Sequence, residues 1–520
     1  MRTKNSIINI FTGLVGQIVV AIAGFAGRTV FIHVLGSTYL GVSGLFSNIL
    51  TLLSFAELGI GQAIVFSLYK PIAENDEDKI CALMRLYEKA YRFLFFLVLG
   101  IGLFILPFLP YIIKDIDSIP NIRTIYCLYV INSAASYLFS YRSTFITASQ
   151  KNYIINIFYV ASTILMTVFQ IAGLLLFKNY FVYLGIQIAF GVIQNVFSYI
   201  YSSRKYPFLK RKDVPPLPDQ EFKSIKKNVG ALIIYKIGTL ALNSTDNIII
   251  SAYVGLIAVG LHSNYVLLTS VVGAFLSTIF GNLTASIGNL NATETTEKRV
   301  HIFNVLNFAT FWFYSVCSIC LFVCMTPFIY AWIGEEYVLP LSVSLIVAIN
   351  FYIAGMLFAP FNFRQTMGLF VQGRMRPIIS AVINIGVSIW FAILWGLPGV
   401  LWGTAVARLT TNVWFDPYLI FKKGLNVSPV PYFIDYIKKF LLFLLMGFVC
   451  WYVSSKILLT SILGVLIKAI VSFVICNGVI LALYSRTSEF RYLKSVLVNI
   501  RSIVARKKND SDSTVEKTQD

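Results

Sequence analysis

Charged residues are scarce in this chain of 520 residues: only 12% are Asp, Glu, Lys or Arg, and the mean hydropathy is +0.76. A soluble domain of ordinary composition carries about 25% charged residues. The deficit leaves too little polar surface for water to solvate a compact particle of this length, which excludes a soluble globular protein. Lipid must therefore be the solvent for most of the chain.

Motifs for catalysis and metal binding are also missing. The three histidines are scattered, and no HExxH, Walker A or GxSxG pattern occurs. Most of the seven cysteines lie inside apolar runs, where thiols usually act as small packing groups. Cys317, Cys320 and Cys324 share one helical face, but no histidine or carboxylate lies near them within that run. We expect no catalytic residue, no metal site and no enzymatic activity.

Apolar runs long enough to cross a bilayer follow one another along the chain. A spanning helix needs about 20 apolar residues, and these runs predict twelve to fourteen helices, of which fourteen is the preferred number. The first run continues to Leu35, which is too long for a cleaved signal peptide. The predicted spans are 7–35, 42–68, 92–113, 122–147, 153–176, 182–202, 228–252, 260–284, 302–326, 341–366, 377–396, 399–421, 439–456 and 464–485.

Lys and Arg are concentrated in alternate segments between these spans. With the N-terminus inside, 32 of the 42 basic residues fall on the inner side, four on the outer side and six within spans. This distribution obeys the positive-inside rule. It also accounts for the net charge of +19 without a nucleic-acid partner. We predict a multi-pass protein of the bacterial cytoplasmic (inner) membrane with both termini in the cytoplasm.

Three short motifs occur twice, in the same order and at a nearly constant offset. The pairs are Leu35-Gly36 and Leu40-Gly41 with Val254-Gly255 and Val259-Gly260 (offset 219), Tyr141-Arg142-Ser143-Thr144 with Phe363-Arg364-Gln365-Thr366 (offset 222), and Tyr183-Leu184-Gly185 with Leu401-Trp402-Gly403 (offset 218). Because the offset covers six spans, it predicts two parallel-repeat six-helix bundles around a central cavity, which is a transporter architecture. A duplicated scaffold without transport is the alternative.

The spans and the repeat together predict the domains. They are an N-terminal six-helix lobe (1–202), a cytoplasmic linker loop (203–227), a C-terminal six-helix lobe (228–421), helices 13 and 14 (422–485) and a partly disordered cytoplasmic tail (486–520). No predicted outer segment exceeds roughly 14 residues. Membrane-bound polymerases and glycosyltransferases typically need a longer outer loop, so these enzymes are disfavoured.

Ionisable residues at membrane depth are the most informative feature of the sequence. A charge at the bilayer centre costs about 2.5–3.5 kcal/mol when it faces lipid, so several of them should line a cavity or form pairs. The cations, which are the candidate substrate-binding residues, are Arg28, Arg142, Lys236, Arg364 and Arg408. The carboxylates, Glu57 and Asp246, are candidates for a gate or for ion pairs. The surplus of cations favours an anionic substrate over a cationic drug.

Depth along the predicted helices suggests which of these charges meet. It places Arg28 level with Asp246 and Glu57 level with Lys236. Pairs of this kind either break and re-form during transport or remain static and fix the packing of the helices. Both interpretations are open.

Other polar positions also allow two interpretations. Arg142 and Arg364, near the cytoplasmic ends of their spans, either snorkel to the interface or bind a phosphate from an inward-open cavity. Arg408 lies deeper, where snorkelling is harder. Amide side chains in the spans either bind sugar hydroxyls or join helices. They include Gln17, Asn132, Gln187, Asn195, Asn264 and Asn384.

Several motifs resemble those of a known family. They are Leu35-Gly36 through Leu40-Gly41-Val42-Ser43-Gly44, Phe55-Ala56-Glu57-Leu58-Gly59-Ile60-Gly61, Phe363-Arg364-Gln365-Thr366 with Arg374-Met375-Arg376-Pro377, and Gly399-Val400-Leu401-Trp402-Gly403-Thr404. With them the chain resembles, over nearly its whole length, the Wzx-type oligosaccharide flippases. These form the polysaccharide-export branch of the MOP superfamily, which also holds the MATE multidrug exporters and the lipid II flippase.

The resemblance implies a MATE-like fold that flips undecaprenyl-diphosphate-linked oligosaccharide repeat units to the outer leaflet by alternating access, for O-antigen, capsule or exopolysaccharide. It implies lipid-linked oligosaccharide, membrane lipids and polysaccharide polymerase and assembly proteins as partners. No cofactor is implied beyond a proton or sodium gradient. The family's cavity arginines correspond only loosely to Arg28, Arg142, Arg364 and Arg408. A MATE-like small-molecule antiporter is the alternative function.

Overall fold

The computed structural model of the chain is helical, and no strand occurs among the residues that it describes. The predicted all-α fold class is thereby confirmed. Lys236 lies outside the described residues, as does the end of the predicted tail. The described residues are 2–496, except 115, 117–118, 150, 212, 221, 224, 226–228, 230–237, 239, 241–243, 282, 370–371 and 374.

The first part of the chain, residues 2–205, forms long helices joined by short connections. Gly36 divides α1 into two helices, since its φ of 79° lies in the left-handed region that favours glycine. Asp76 caps α3 by accepting a hydrogen bond from the backbone N of Lys79 at 3.0 Å. The helices are α1 (Arg2–Leu53), α2 (Phe55–Glu74), α3 (Glu77–Ile105), α4 (Leu109–Ile112), α5 (Ile122–Ala148), α6 (Asn152–Phe177) and α7 (Tyr180–Lys205).

The later part of the chain contains shorter helices, several of which are joined by single π-helical turns. One such turn, Arg408–Asn412, follows α15 directly. The helices are α8 (Asp246–Ile249), α9 (Leu256–Gly281), α10 (Thr284–Thr293), α11 (Thr296–Ile333), α12 (Leu341–Met356), α13 (Phe358–Thr366), α14 (Arg376–Trp395), α15 (Leu397–Ala407), α16 (Val413–Leu419), α17 (Val430–Ser455) and α18 (Ile462–Tyr484).

Nine helices of the described part are long and apolar enough to cross a membrane, judged by length and composition. Large apolar side chains are exposed on their outer faces, among them Phe96 (68%), Trp390 (61%) and Ile393 (68%). In water, apolar patches of this extent would drive aggregation, whereas acyl chains solvate them. The prediction of a multi-pass membrane protein is confirmed, and the number fourteen stays a prediction.

The chain divides into two compact units. Unit 1 consists of Met1–Thr278, Trp332–Ile346 and Gly373–Asn412. Within it α1 packs along α6, α5 packs against both α3 and α7, and α14 packs against α15. Unit 2 consists of Ile279–Ala331, Val347–Gln372 and Val413–Asp520, with α10 against α13 and α17 against α18. The division into two six-helix lobes stays a prediction.

Two glycines of unit 1 permit a close crossing between the second half of α1 and the start of α9. A Cβ atom on Gly41 would collide with the backbone carbonyl of Leu256, and one on Gly260 would collide with the backbone carbonyl of Ser37. Ser37 and Leu256 are themselves separated by 219 residues, as are the two glycines. The contact is therefore symmetric with respect to the repeat: Gly41 lies against Leu256, and its counterpart Gly260 lies against Ser37, the counterpart of Leu256. We call this contact the glycine crossing.

We expect Gly41→Ala and Gly260→Ala each to lower the free energy of unfolding by about 1–3 kcal/mol, the usual cost of overpacking a tight contact. The obstacle at both positions is backbone, so it cannot rotate away. Thermal unfolding of the purified protein in detergent measures the effect. Gly24→Ala is the matched control, because no atom lies within 4 Å of its added Cβ. Equal melting temperatures for Gly41→Ala and Gly24→Ala would contradict the expectation.

Candidate functional site

Arg28 joins α1 to α9 within unit 1. Its Nε donates to Oδ1 of Asn264 at 2.9 Å, and its Nη2 donates to the hydroxyl of Ser263. Both partners are neutral, so they orient the guanidinium without neutralising it. Among the described side chains no ion pair joins Arg28 to Asp246, so the predicted pair is absent from this conformation. We call Arg28, Ser263 and Asn264 the Arg28 cluster.

The segment from Trp332 to Leu339, which the sequence predicts on the outer side of the membrane, forms hydrogen bonds next to the Arg28 cluster. The indole N–H of Trp332 donates to Thr29 at 2.8 Å, and the Trp332 ring lies 5.1 Å from that of Phe25. The backbone N–H of Leu339 donates to the hydroxyl of Tyr265 at 2.8 Å. Thr29 and Tyr265 each follow a member of the cluster in sequence. The segment from Trp332 to Leu339 therefore holds α1 and α9 together at the level of Arg28.

A mainly apolar cavity of about 550 Å³ lies between α1, α6 and α9 in unit 1. On α1 its lining extends from Thr12 to Gly24, and on α9 from Leu267 to Phe275. Gly24 precedes Arg28 by about one helical turn, and Leu267 follows Asn264 by about one turn. Along both helices the Arg28 cluster therefore lies just beyond the same end of the cavity. We call this space the apolar cavity.

A second cavity of about 340 Å³ lies between the second half of α1, α5 and α7 in unit 1. Its lining combines polar and apolar groups and is uncharged, since none of the described residues that line it is Asp, Glu, Lys or Arg. Three of the amides singled out in the sequence line this cavity, and they are Asn132, Gln187 and Asn195. Hydroxyl groups of α1, of α5 and of Ser54, which lies between α1 and α2, line the rest of its polar wall. Those of α1 and α5 include Ser47, Thr51, Ser133 and Ser136. We call it the hydroxyl–amide pocket.

Glu57 belongs to a chain of hydrogen bonds that connects α2, α3 and α5. The hydroxyl of Tyr91 donates to Glu57 at 2.9 Å, that of Tyr87 donates to Tyr91 at 2.7 Å, and that of Thr144 donates to Tyr87 at 3.2 Å. Sequence reasoning missed this tyrosine chain, because Tyr87 and Tyr91 lie near the inner end of an apolar run and carry no distinguishing pattern. The pairing of Glu57 with Lys236 stays a prediction, since Lys236 lies outside the described residues.

Asp246, the first residue of α8, meets α14 and α15. Its carboxylate accepts hydrogen bonds from the hydroxyl of Thr404, with oxygen–oxygen distances of 2.8 and 3.0 Å, and Asn384 donates to Thr404 at 2.9 Å. Arg408 interacts electrostatically with Asp246 and begins the π-helical turn after α15. Such turns are frequent at functional sites. The structure thus brings Asp246 and Arg408 together.

Arg142 is buried, with 5% of its surface exposed. Its Nη2 donates to the backbone carbonyl of Leu209 at 3.2 Å, and its guanidinium lies 5.4 Å from the ring centre of Tyr141 and 5.3 Å from that of Tyr199. These contacts hold the segment after α7 against α5. In this conformation Arg142 is enclosed by α5, α7 and the segment that follows α7. The choice between snorkelling and phosphate binding stays a prediction.

Arg364 is also buried, and its charge is paired within unit 2. Its Nε lies 3.4 Å from Oδ1 of Asp416, and both side chains are only 2% exposed. Sequence reasoning missed Asp416, although a carboxylate inside the predicted span 399–421 was a sufficient signal. The pair joins α13 to α16 and removes one charge from the apparent surplus of cations.

The chain is similar to solved membrane transporters. No protein-family model and no curated protein matches it. The lipid II flippase MurJ in an inward closed conformation matches with a TM-score of 0.61 at 14% identity, over 93% of this chain and 100% of that chain. This chain has a MATE- and MurJ-like fold. An inward-facing multidrug resistance MATE transporter of the MOP superfamily matches with a TM-score of 0.55 at 12% identity, over 78% of this chain and 97% of that chain.

A variant of the Vibrio cholerae MATE transporter VcmN also matches this chain, with a TM-score of 0.52 at 12% identity, over 82% of this chain and 98% of that chain. Membership of the Wzx-type branch stays a prediction. The described part of the chain contains no group of three or more His, Cys, Asp or Glu residues that could hold a metal ion.

The pairing of Arg364 with Asp416 predicts a specific pattern of stability. Arg364→Met leaves a buried carboxylate without its cation, and we expect it to lower the free energy of unfolding by about 3–5 kcal/mol. Adding Asp416→Leu should restore part of the loss, because it removes the uncompensated charge. Thermal or chemical unfolding in detergent measures both variants.

Arg211→Met serves as the control, since the pair of Arg211 with Glu77 (3.0 Å) is exposed and such pairs contribute about 0–1 kcal/mol. A loss for Arg364→Met no larger than that of the control would show that the buried pair does not stabilise unit 2.

Proposed function

We propose that the protein is a flippase that moves undecaprenyl-diphosphate-linked oligosaccharide repeat units from the cytoplasmic to the outer leaflet, for the synthesis of a cell-surface polysaccharide. One observation carries this proposal: the Arg28 cluster lies beyond one end of the apolar cavity. A guanidinium beside an apolar space suits a ligand that joins an anionic group to a long apolar tail. A polyprenyl diphosphate is such a ligand.

The charge and shape of the Arg28 cluster fit a diphosphate. A guanidinium presents several N–H groups in a fixed plane and binds phosphate oxygens in pairs. Asn264 and Ser263 fix the orientation of this plane while leaving its charge uncompensated. A diphosphate bearing sugars is costly to move through hydrocarbon, because its charges and hydroxyls lose their hydration. A polar passage lowers that barrier while the prenyl chain remains in lipid.

The comparisons support a transporter and leave the choice of substrate to the chain itself. Structures with this fold include a lipid II flippase and multidrug transporters. The carboxylates Asp246 and Asp416, which would attract an organic cation, have cationic neighbours in Arg408 and Arg364. Two alternating six-helix lobes, a proton or sodium gradient and polymerase partners belong to the same proposal.

Leaflet exchange in proteoliposomes tests the function. With a labelled short-chain polyprenyl-diphosphate oligosaccharide, we expect the purified protein to accelerate the exposure of the label to a membrane-impermeant reagent. Arg28→Gln should slow the exchange about tenfold or more, because a hydrogen bond to a charged group contributes about 1.5–3 kcal/mol. Arg28→Lys should retain part of the rate, since the charge remains but the planar fork is lost.

Arg92→Gln is the matched control, because Arg92 is exposed and pairs with Glu88 one turn away on α3. Exchange equal to that of protein-free liposomes, or exchange that Arg28→Gln leaves unchanged, would refute the flippase. Transport of an organic cation by the same preparation, without exchange of the lipid, would favour the MATE-like antiporter.

A further inference from the structure

We propose that the hydroxyl–amide pocket is a sugar subsite that binds an uncharged glycosyl residue of the substrate. The inference rests on the proposed function and adds a substrate class to it: at least one sugar of the transported unit is neutral and enters this pocket. The pocket is separate from the Arg28 cluster, since the two have no residue in common.

Three hydroxyl groups of the pocket are arranged as acceptors. Those of Thr51 and Ser54 donate to the backbone carbonyls four residues earlier, at 2.7 and 3.0 Å, and that of Ser136 donates to the carbonyl three residues earlier, at 2.7 Å. Each of these protons is therefore used by its own helix, while the oxygen keeps lone pairs that accept hydrogen bonds. Such oxygens can receive the protons of sugar hydroxyls.

The amide groups supply the complementary donors. Neither Asn132 nor Gln187 makes a hydrogen bond to another described residue, and Asn195 donates to the carbonyl of Gly191 at 3.0 Å, which leaves its own carbonyl as an acceptor. Amides that join helices would bond across the helix interface, and these three do not do so within the described chain. An amide offers two N–H donors and one acceptor, which matches the mixed donors and acceptors of neighbouring sugar hydroxyls.

The wall of the pocket is held in place before any ligand binds. The hydroxyl of Tyr129 donates to Ser43 at 3.0 Å and lies 2.9 Å from that of Tyr180, and only 2% of Tyr129 is exposed. A fixed wall lowers the cost of ordering side chains upon binding. The volume of about 340 Å³ is at the small end of ligand sites, about 300–1,000 Å³. This size suits a short glycosyl unit rather than a long oligosaccharide.

The absence of charge from the lining sets the specificity. A carboxylate-bearing sugar would lose its hydration in the pocket and find no cation among the lining residues. A neutral sugar loses only hydrogen bonds to water, which the hydroxyls and amides replace. The pocket should therefore prefer neutral glycosides over uronic acids.

Gly191 provides a way to close the pocket without touching its polar groups. A Cβ atom at Gly191 would lie 3.5 Å from Oδ1 of Asn132, which is ordinary van der Waals contact. Gly191→Ala should consequently be tolerated, whereas the longer side chain of Gly191→Leu would fill the pocket. Gly185→Leu is the matched control on the same helix, because Gly185 is exposed and no atom lies within 4 Å of its added Cβ.

Binding of soluble glycosides to the full-length protein in lipid nanodiscs tests the subsite directly. The probes are the methyl glycosides of glucose, galactose, rhamnose and N-acetylglucosamine, with methyl glucuronide as the acidic probe, and saturation-transfer NMR measures their affinities. We expect at least one neutral glycoside to bind, about tenfold or more tightly than the glucuronide, and Gly191→Leu and Asn132→Leu to weaken it about tenfold or more. Gly191→Ala and Gly185→Leu should bind as the wild type does.

Leaflet exchange separates this inference from the function on which it rests. Gly191→Leu should slow a polyprenyl diphosphate that carries a neutral trisaccharide but leave the sugar-free polyprenyl diphosphate at the wild-type rate. If the wild type moves neither lipid, the proposed function fails while glycoside binding still decides the subsite. Wild-type glycoside binding by a Gly191→Leu protein of normal melting temperature would overturn the subsite, and so would binding of the glucuronide as tightly as of the neutral probes. Unchanged exchange of the sugar-bearing lipid would overturn its assignment to a lipid-linked substrate.

Discussion

Unit 1 depends on the glycine crossing between α1 and α9. Because Gly41 and Gly260 have no side chains, two backbones approach so closely that even a methyl group would not fit. About one turn further along α9, Ser263 and Asn264 are thereby brought within reach of Arg28. The Arg28 cluster and one wall of the apolar cavity are consequences of the same approach. A shift of one helix against the other at this point would change all three together.

The buried charges differ in what compensates them. Arg364 has Asp416, and Asp246 has Arg408 as a charged neighbour, whereas Arg28 is held by two neutral side chains. Ion pairs within a packed interior mainly fix arrangement, since the desolvation of both charges offsets their attraction. A guanidinium held by neutral groups retains its attraction for an anion. This contrast is why Arg28, rather than Arg364, carries the functional proposal.

Hydropathy and charge distribution were sufficient to predict the helical membrane fold, and the depth of a residue followed from its place in a span. Depth alone does not give the direction in which a side chain points around its helix. The prediction placed Arg28 and Asp246 at one level and suggested a pair, whereas their side chains contact Asn264 and Thr404. The glycines were recognised as a repeat, but their contact depends on helix rotation, which a single sequence leaves open.

The contacts of Arg142 restrict the start of the predicted linker 203–227, which connects the two predicted repeats. Arg142 donates a hydrogen bond to the carbonyl of Leu209, and Arg211 forms ion pairs with Glu77 and Asp78. The first residues of this linker therefore contact α3 and α5. The buried Arg142 holds the linker as far as Leu209, whereas the exposed pairs of Arg211 contribute little. In the alternating access that we propose, a linker held at its start limits how far the two predicted lobes can move apart. Residues remote from any ligand would then help to set the extent of that movement.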